Sequence, residues 1–223
     1  MYKISYCLVF LLFISFSCKE KGFIKDVPKS DVAPRRGNKP SWYEVYQMLS
    51  DSLKIGRIDN GFDSLQIRIW VGSAFSHNKV AVFTCSAGNW SSSLITFIPH
   101  YFNEGHFNEN RDSVVYFETN SIAPAKPINW PEFIEKLYDC DIMKLPDQQY
   151  LKGYDHPTDG VGYTIEIATI NKYRLYSYHS PEVNTQVNEA RKMNEILKLV
   201  KKYTGYHLLD YPKWFEKKAD STE

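Results

Sequence analysis

Between residues 159 and 203 the hydrophobic pattern switches once, from the period of a strand to that of a helix, and this switch restricts the fold more than any other feature. Tyr163, Ile165, Ile167 and Thr169 share one face of an alternating run, and Thr164, Glu166, Ala168 and Ile170 share the other. Asn171-Lys172 separates that run from residues 173–179, whose aromatics favour strands; Asn also tolerates the positive φ that a two-residue turn demands. The spacing predicts a β-hairpin. It sets Ile170 opposite Tyr173, Ala168 opposite Leu175, Glu166 opposite Ser177 and Thr164 opposite His179, while Ile165 and Ile167 meet Tyr178 and Tyr176 on an apolar face that should be buried.

After Pro181 the apolar residues recur three or four apart: Val183, Val187, Ala190, Met193, Leu197 and Val200, widened by Ile196, Leu199 and Tyr203. Gly205 supplies a stop, and Lys201 and Lys202 suit the negative end of the helix dipole. This helix is expected to lie across the sheet.

Upstream, Ser41 with Glu44 forms a capping box for a helix whose stripe is Trp42, Val45, Tyr46 and Leu49. Four strand-like runs follow, at residues 65–71, 80–85, 94–98 and 114–119, with Gly, Asn and Ser between them. A helical pattern then carries Pro131, Phe133, Ile134, Leu137 and Tyr138. The order of helix, four strands, helix, hairpin and helix argues for an α+β single domain. Its mostly antiparallel sheet would be a four-strand meander plus a C-terminal hairpin, packed by three helices, although a hairpin docked beside a separate sheet would read the same way.

At the N-terminus, Lys3 precedes an apolar run from Tyr6 to Phe16 that is too short to span a bilayer and ends in small residues, the pattern of an export signal. The stretch Ile14-Ser15-Phe16-Ser17-Cys18 resembles the lipobox of bacterial lipoproteins. The resemblance implies cleavage before Cys18 and diacylation of its sulfur, and so a lipid anchor in the bacterial envelope, at the outer membrane. An ordinary secretory signal cleaved nearby is the alternative. The expected organisation is a signal peptide at 1–17, a flexible tether at 18–40, rich in Pro and charge, and the domain at 41–223.

Loss of Lys3 with the signal leaves as many basic as acidic side chains, starting from 27 Lys and Arg against 26 Asp and Glu, so neither nucleic acid nor an anionic surface is implied as a partner. An aromatic fraction of 15% suits either a β-rich fold or a carbohydrate-stacking surface. From Trp130 to Tyr203, the order Trp-x-x-Phe, Leu145-Pro146, Asp159-Gly160, Tyr163-Thr164-Ile165-Glu166, Tyr173-Arg174, Tyr176 and Pro181 before a closing helix resembles a domain of uncharacterised secreted and lipid-anchored bacterial proteins. That resemblance implies no activity.

Several constellations could carry chemistry. Glu166, Ser177 and His179 share one hairpin face and nominally supply acid, nucleophile and base; Ser177, however, sits mid-strand without a nucleophile-exposing turn, so a solvated or helix-covered polar face is the plainer reading. His100, Glu104 and His106 could bind a metal or serve a hydrolase on the loops of residues 88–110, but their spacing matches no known ligand pattern. His77 and His156 stand apart in sequence. Asp155, His156, Asp159 and Gly160 could face a ligand or simply turn the chain into the hairpin.

Trp70, Trp90 and Tyr101 are candidate docking aromatics. Cys85 and Cys140 remain once Cys7 is removed and Cys18 acylated; an oxidising compartment would permit one bridge, and two separately buried thiols are the alternative. No cofactor is implied. The expectation is a binding module for a protein or glycan at the envelope in preference to an enzyme, with a hydrolase at His100–His106 or a structural or inhibitory lipoprotein as alternatives.

Overall fold

The computed structural model describes residues 22–34, 40–73, 76–101 and 114–208. Cys18, Glu104 and His106, and the side chains of His77, His100 and Tyr101, lie outside what is described. The elements in order are β1 (Ile24–Asp26), α1 (Lys29–Val32), α2 (Trp42–Ser52), β2 (Leu65–Ser73), β3 (Ser76–Ser86), β4 (Asn89–Tyr101), β5 (Val114–Ile122), α3 (Trp130–Asp139), β6 (Val161–Thr169), β7 (Lys172–His179) and α4 (Asn188–Thr204). The fold is α+β. Among the described residues, seven strands form one sheet in the order β1-β7-β6-β2-β3-β4-β5, antiparallel throughout except where β1 runs parallel to β7.

The meander and the hairpin thus share one sheet, joined where β6 pairs with β2 through nine residue pairs from Leu65 opposite Thr169 to Ser73 opposite Val161. Ala87 and Gly88, both at positive φ, make the two-residue turn between β3 and β4, a conformation whose twist matches the flanking strands. The hairpin register differs from the expected one by a slide of two residues. Ala168 faces Tyr173, Glu166 faces Leu175, Thr164 faces Ser177 and Gly162 faces His179, so the turn is Ile170-Asn171 and neither residue has positive φ. An even slide leaves every side chain on its expected face. It places small Ala168 opposite bulky Tyr173 and sends Ile170, 73% exposed, into the turn.

Both faces of the sheet are covered. On one, α3 and α4 close over Ile67, Ile69, Phe83, Tyr163, Ile165, Tyr176 and Tyr178. On the other, α2 and the segment behind it cover Trp70, Val80 and Val82, with Tyr173 and Leu175 nearby. The capping box opens α2 as expected: the Ser41 N–H donates to Glu44 Oε2 at 2.7 Å and the Glu44 N–H to Ser41 Oγ at 3.2 Å. Its buried residues, however, are Gln47 and Ser50, while Trp42 of the expected stripe is 48% exposed. The reason lies across the interface, where Arg68 and Glu166 are fully buried and require polar partners.

The last helix starts at Asn188, later than expected, after a single 3₁₀ turn at Pro181–Val183. Fully buried Asn184 spends its side chain on the backbone of Asp155 and Ser180, a local bonding pattern that competes with helix propagation. Val183 is consequently exposed, and Ile196 and Met193 pack centrally where Leu197 is only partly buried.

The segment expected as a tether contributes structure from residue 24 onward. Asp26 pairs with Arg174 at 2.7 Å, and Lys25 reaches Asp59 at 2.9 Å and the Tyr43 hydroxyl at 2.8 Å, so backbone pairing with β7 and ion pairs rather than apolar burial hold β1 to the sheet edge. Cys85 and Cys140 are both free thiols, each packed against the main core.

Candidate functional site

At the end of the sheet where β2 finishes and β6 begins, Gly72 and Gly162 lie opposite one another and leave the strand surface bare. One step inward, Thr164 faces Ser177 and their hydroxyls bond at 2.8 Å, while the Tyr46 hydroxyl comes down from α2 to donate to Thr164 Oγ1 at 2.7 Å. The result is a cleft of about 540 Å³. Trp42 and Asp31 approach from α2 and α1; His156, Gly160 and Gln148 approach from the loops before β6.

His179 is anchored at two points. Its backbone N–H donates to Gln148 Oε1, and its ring Nε2 lies 3.0 Å from the Pro157 carbonyl. Gly160 is dictated by this packing, since a Cβ there would lie 2.0 Å from Ser180 Oγ and 2.9 Å from His179 Nε2. Behind the cleft, buried Asp147 accepts the N–H of Gln149 at 2.9 Å and that of Ser177 at 2.7 Å. Burial nevertheless raises its pKa above the usual carboxylate range. Asp31 has fewer hydrogen bonds to offset its burial, and burial together with the negative charge of Asp147 pushes that carboxyl up to about 6.

These contacts separate the three residues considered as a catalytic set. Glu166 pairs across the hairpin with Leu175, not Ser177, and is fully buried. It accepts hydrogen bonds from Trp70 Nε1 at 2.6 Å, the Tyr173 hydroxyl at 2.7 Å and Gln47 Nε2 at 3.2 Å, with an Arg68 Nη1 3.9 Å away. Arg68 itself donates to Gln66 Oε1, Ser50 Oγ and the carbonyls of Ile55 and Gly56. This is the helix-covered polar face. The Ser177 and Thr164 hydroxyls bond to each other and His179 turns its ring to Pro157, an arrangement in which no base is bonded to the Ser177 hydroxyl.

Of the candidate docking aromatics, Trp70 is 2% exposed and spends its indole N–H on Glu166, so it presents no surface to a partner. Trp90 is half-buried and stacks on Trp130 with ring centroids 5.3 Å apart at 16°; the pair walls a shallow groove with Pro124 and Pro127. Among the described residues no group of three or more His, Cys, Asp or Glu side chains is arranged to hold a metal ion. His156 and Gly160, read as ligand-facing or as a turn, do line the cleft. Sequence reasoning passed over Asp31, Trp42, Tyr46, Thr164 and Gln148, which converge only because β1 docks on β7 and α2 crosses the sheet.

No family model matches this chain, and a search of curated proteins found no match either.

Proposed function

We propose that this protein is a lipid-anchored binding module of the bacterial envelope that holds a glycan in the cleft above the Gly72–Gly162 pair. The observation that carries the reading is the composition of that cleft. Half-exposed Trp42 offers a ring on which a sugar can stack, Tyr46 adds a second, and Thr164, Ser177, Gln148, His156 and His179 surround them with hydrogen-bonding groups. Aromatic faces with a few convergent polar groups suit a saccharide, which has apolar ring faces and hydroxyl edges. Because Ser177 and His179 are each bonded elsewhere, the same groups favour holding a ligand over attacking one.

Calorimetric titration of the full-length protein in detergent with envelope-derived oligosaccharides tests the site. Binding should weaken about tenfold or more in Trp42→Ala, as loss of about 1.4 kcal/mol of stacking requires. Affinity unchanged by that substitution would move the ligand elsewhere. The anchor rests on the lipobox-like run ending at Cys18. A palmitate analogue fed to expressing cells should label the wild type and leave Cys18→Ala unlabelled; equal labelling of the two would remove the anchor.

A further inference from the structure

We propose that the saccharide bound in this cleft carries a free, protonated amino group, which Asp31 recognises as its counter-ion. The inference rests on the glycan reading of the cleft and narrows it to one ligand chemistry.

Asp31 is the charged side chain that the described cleft wall contributes; no Lys or Arg stands among its lining residues. Its surroundings leave the carboxylate poorly served. Oδ2 is closed to solvent and has no hydrogen-bond partner, and Oδ1 receives only a 3.2 Å bond from the Ser30 hydroxyl. Asp147, whose charge acts on Asp31, carries no proton to donate in its ionised form, and its two oxygens accept backbone N–H groups. A half-buried carboxylate under the charge of a second one costs free energy unless a proton or a cation neutralises it.

The ligand is the natural source of that cation. An ammonium group in the cleft beside Asp31 brings three donors and a positive charge, so it would hydrogen-bond the cleft side of the carboxylate and offset the repulsion between Asp31 and Asp147. Trp42 lines the same cleft, and an indole face attracts a cation through its quadrupole. An N-acetylated sugar offers neither the charge nor the extra donors, and an acidic sugar would add a further negative charge. Thr164, Ser177 and Gln148 remain for the hydroxyl groups of the ring.

The discriminating probes are a glucosamine tetrasaccharide and its N-acetylated counterpart, each titrated at neutral pH into full-length wild type, Asp31→Asn and Trp42→Ala, with circular dichroism to show that each variant is folded. The wild type should bind the amine-bearing tetrasaccharide about tenfold or more tightly than the acetylated one, Asp31→Asn should bind both alike, and Trp42→Ala should weaken both. Equal wild-type affinities overturn the amine inference and leave the glycan reading standing. A preference for the amine that survives in Asp31→Asn assigns it to general surface charge and overturns the inference as well. Failure of both probes to bind removes the glycan reading together with it.

Discussion

Glu166→Ala should destabilise the protein by about 3–5 kcal/mol, the range expected when one member of a buried charge pair is removed. Both Glu166 and Arg68 are fully shielded from solvent, between the sheet and α2. Without the carboxylate, the Trp70 indole N–H and the Tyr173 hydroxyl lose their acceptor and the Gln47 amide loses one of its two, and each buried unsatisfied donor carries its own desolvation cost. Arg68 keeps its bonds to Gln66, Ser50 and two carbonyls but loses the negative charge nearest to it. Urea unfolding with an unchanged slope and a much lower midpoint is the expected record. A loss under about 1 kcal/mol would mean that water reaches this cluster and that α2 does not seal it.

Phe133→Ala should cost about 3–5 kcal/mol through the opposite kind of interior. The Phe133 ring is fully buried and lies 5.4 Å from Phe83 on the sheet, 5.3 Å from Tyr203 on α4 and 6.1 Å from Trp130 on its own helix. Its removal would open a cavity at the junction of three elements that cannot all close in on it. Because Trp130 also stacks on Trp90, the near-ultraviolet dichroism of the indole pair should weaken in the same variant. Retention of both stability and the indole signal would place α3 away from the sheet. The two substitutions act on opposite faces with no shared partners, so their effects should add in the double variant.

The contrast between these sites also shows what was legible in the chain. Tyr163, Ile165, Ile167, Tyr176 and Tyr178 announce their shared face by period two alone, and all five are buried on it. The capping box at Ser41, Phe133 and Leu137 of α3, and Gly205 as the stop after α4 are equally local signals, each confined to one or two turns of chain. The expected pairing register is off by two residues, and the turn by one, because two registers of equal parity keep the same hydrophobic face; opposing bulk, Ala168 against Tyr173, selects between them.

The opposite face carried no such signal. Gln66, Arg68, Thr164 and Glu166 have the alternation of an ordinary solvated strand face, and the inward turn of Gln47 and Ser50 on α2 runs against the helix's own apolar stripe. Their burial follows from mutual satisfaction across some hundred residues of sequence, which no pattern within either element encodes. The docking of β1 has the same origin, in the pairing of Asp26 with Arg174 and Lys25 with Asp59.

By itself the sequence determined the elements whose burial is apolar, and with them the α+β class and the largely antiparallel sheet, because hydrophobic periodicity is written residue by residue in the chain. Only the tertiary structure decided the strand order, the sealed Arg68–Glu166 layer and the cleft. Those depend on charges, hydroxyls and bare glycines brought together from Asp31, Trp42, Gly72, Gly162 and His179, and a polar contact is specified by where its partner ends up rather than by its neighbours in sequence.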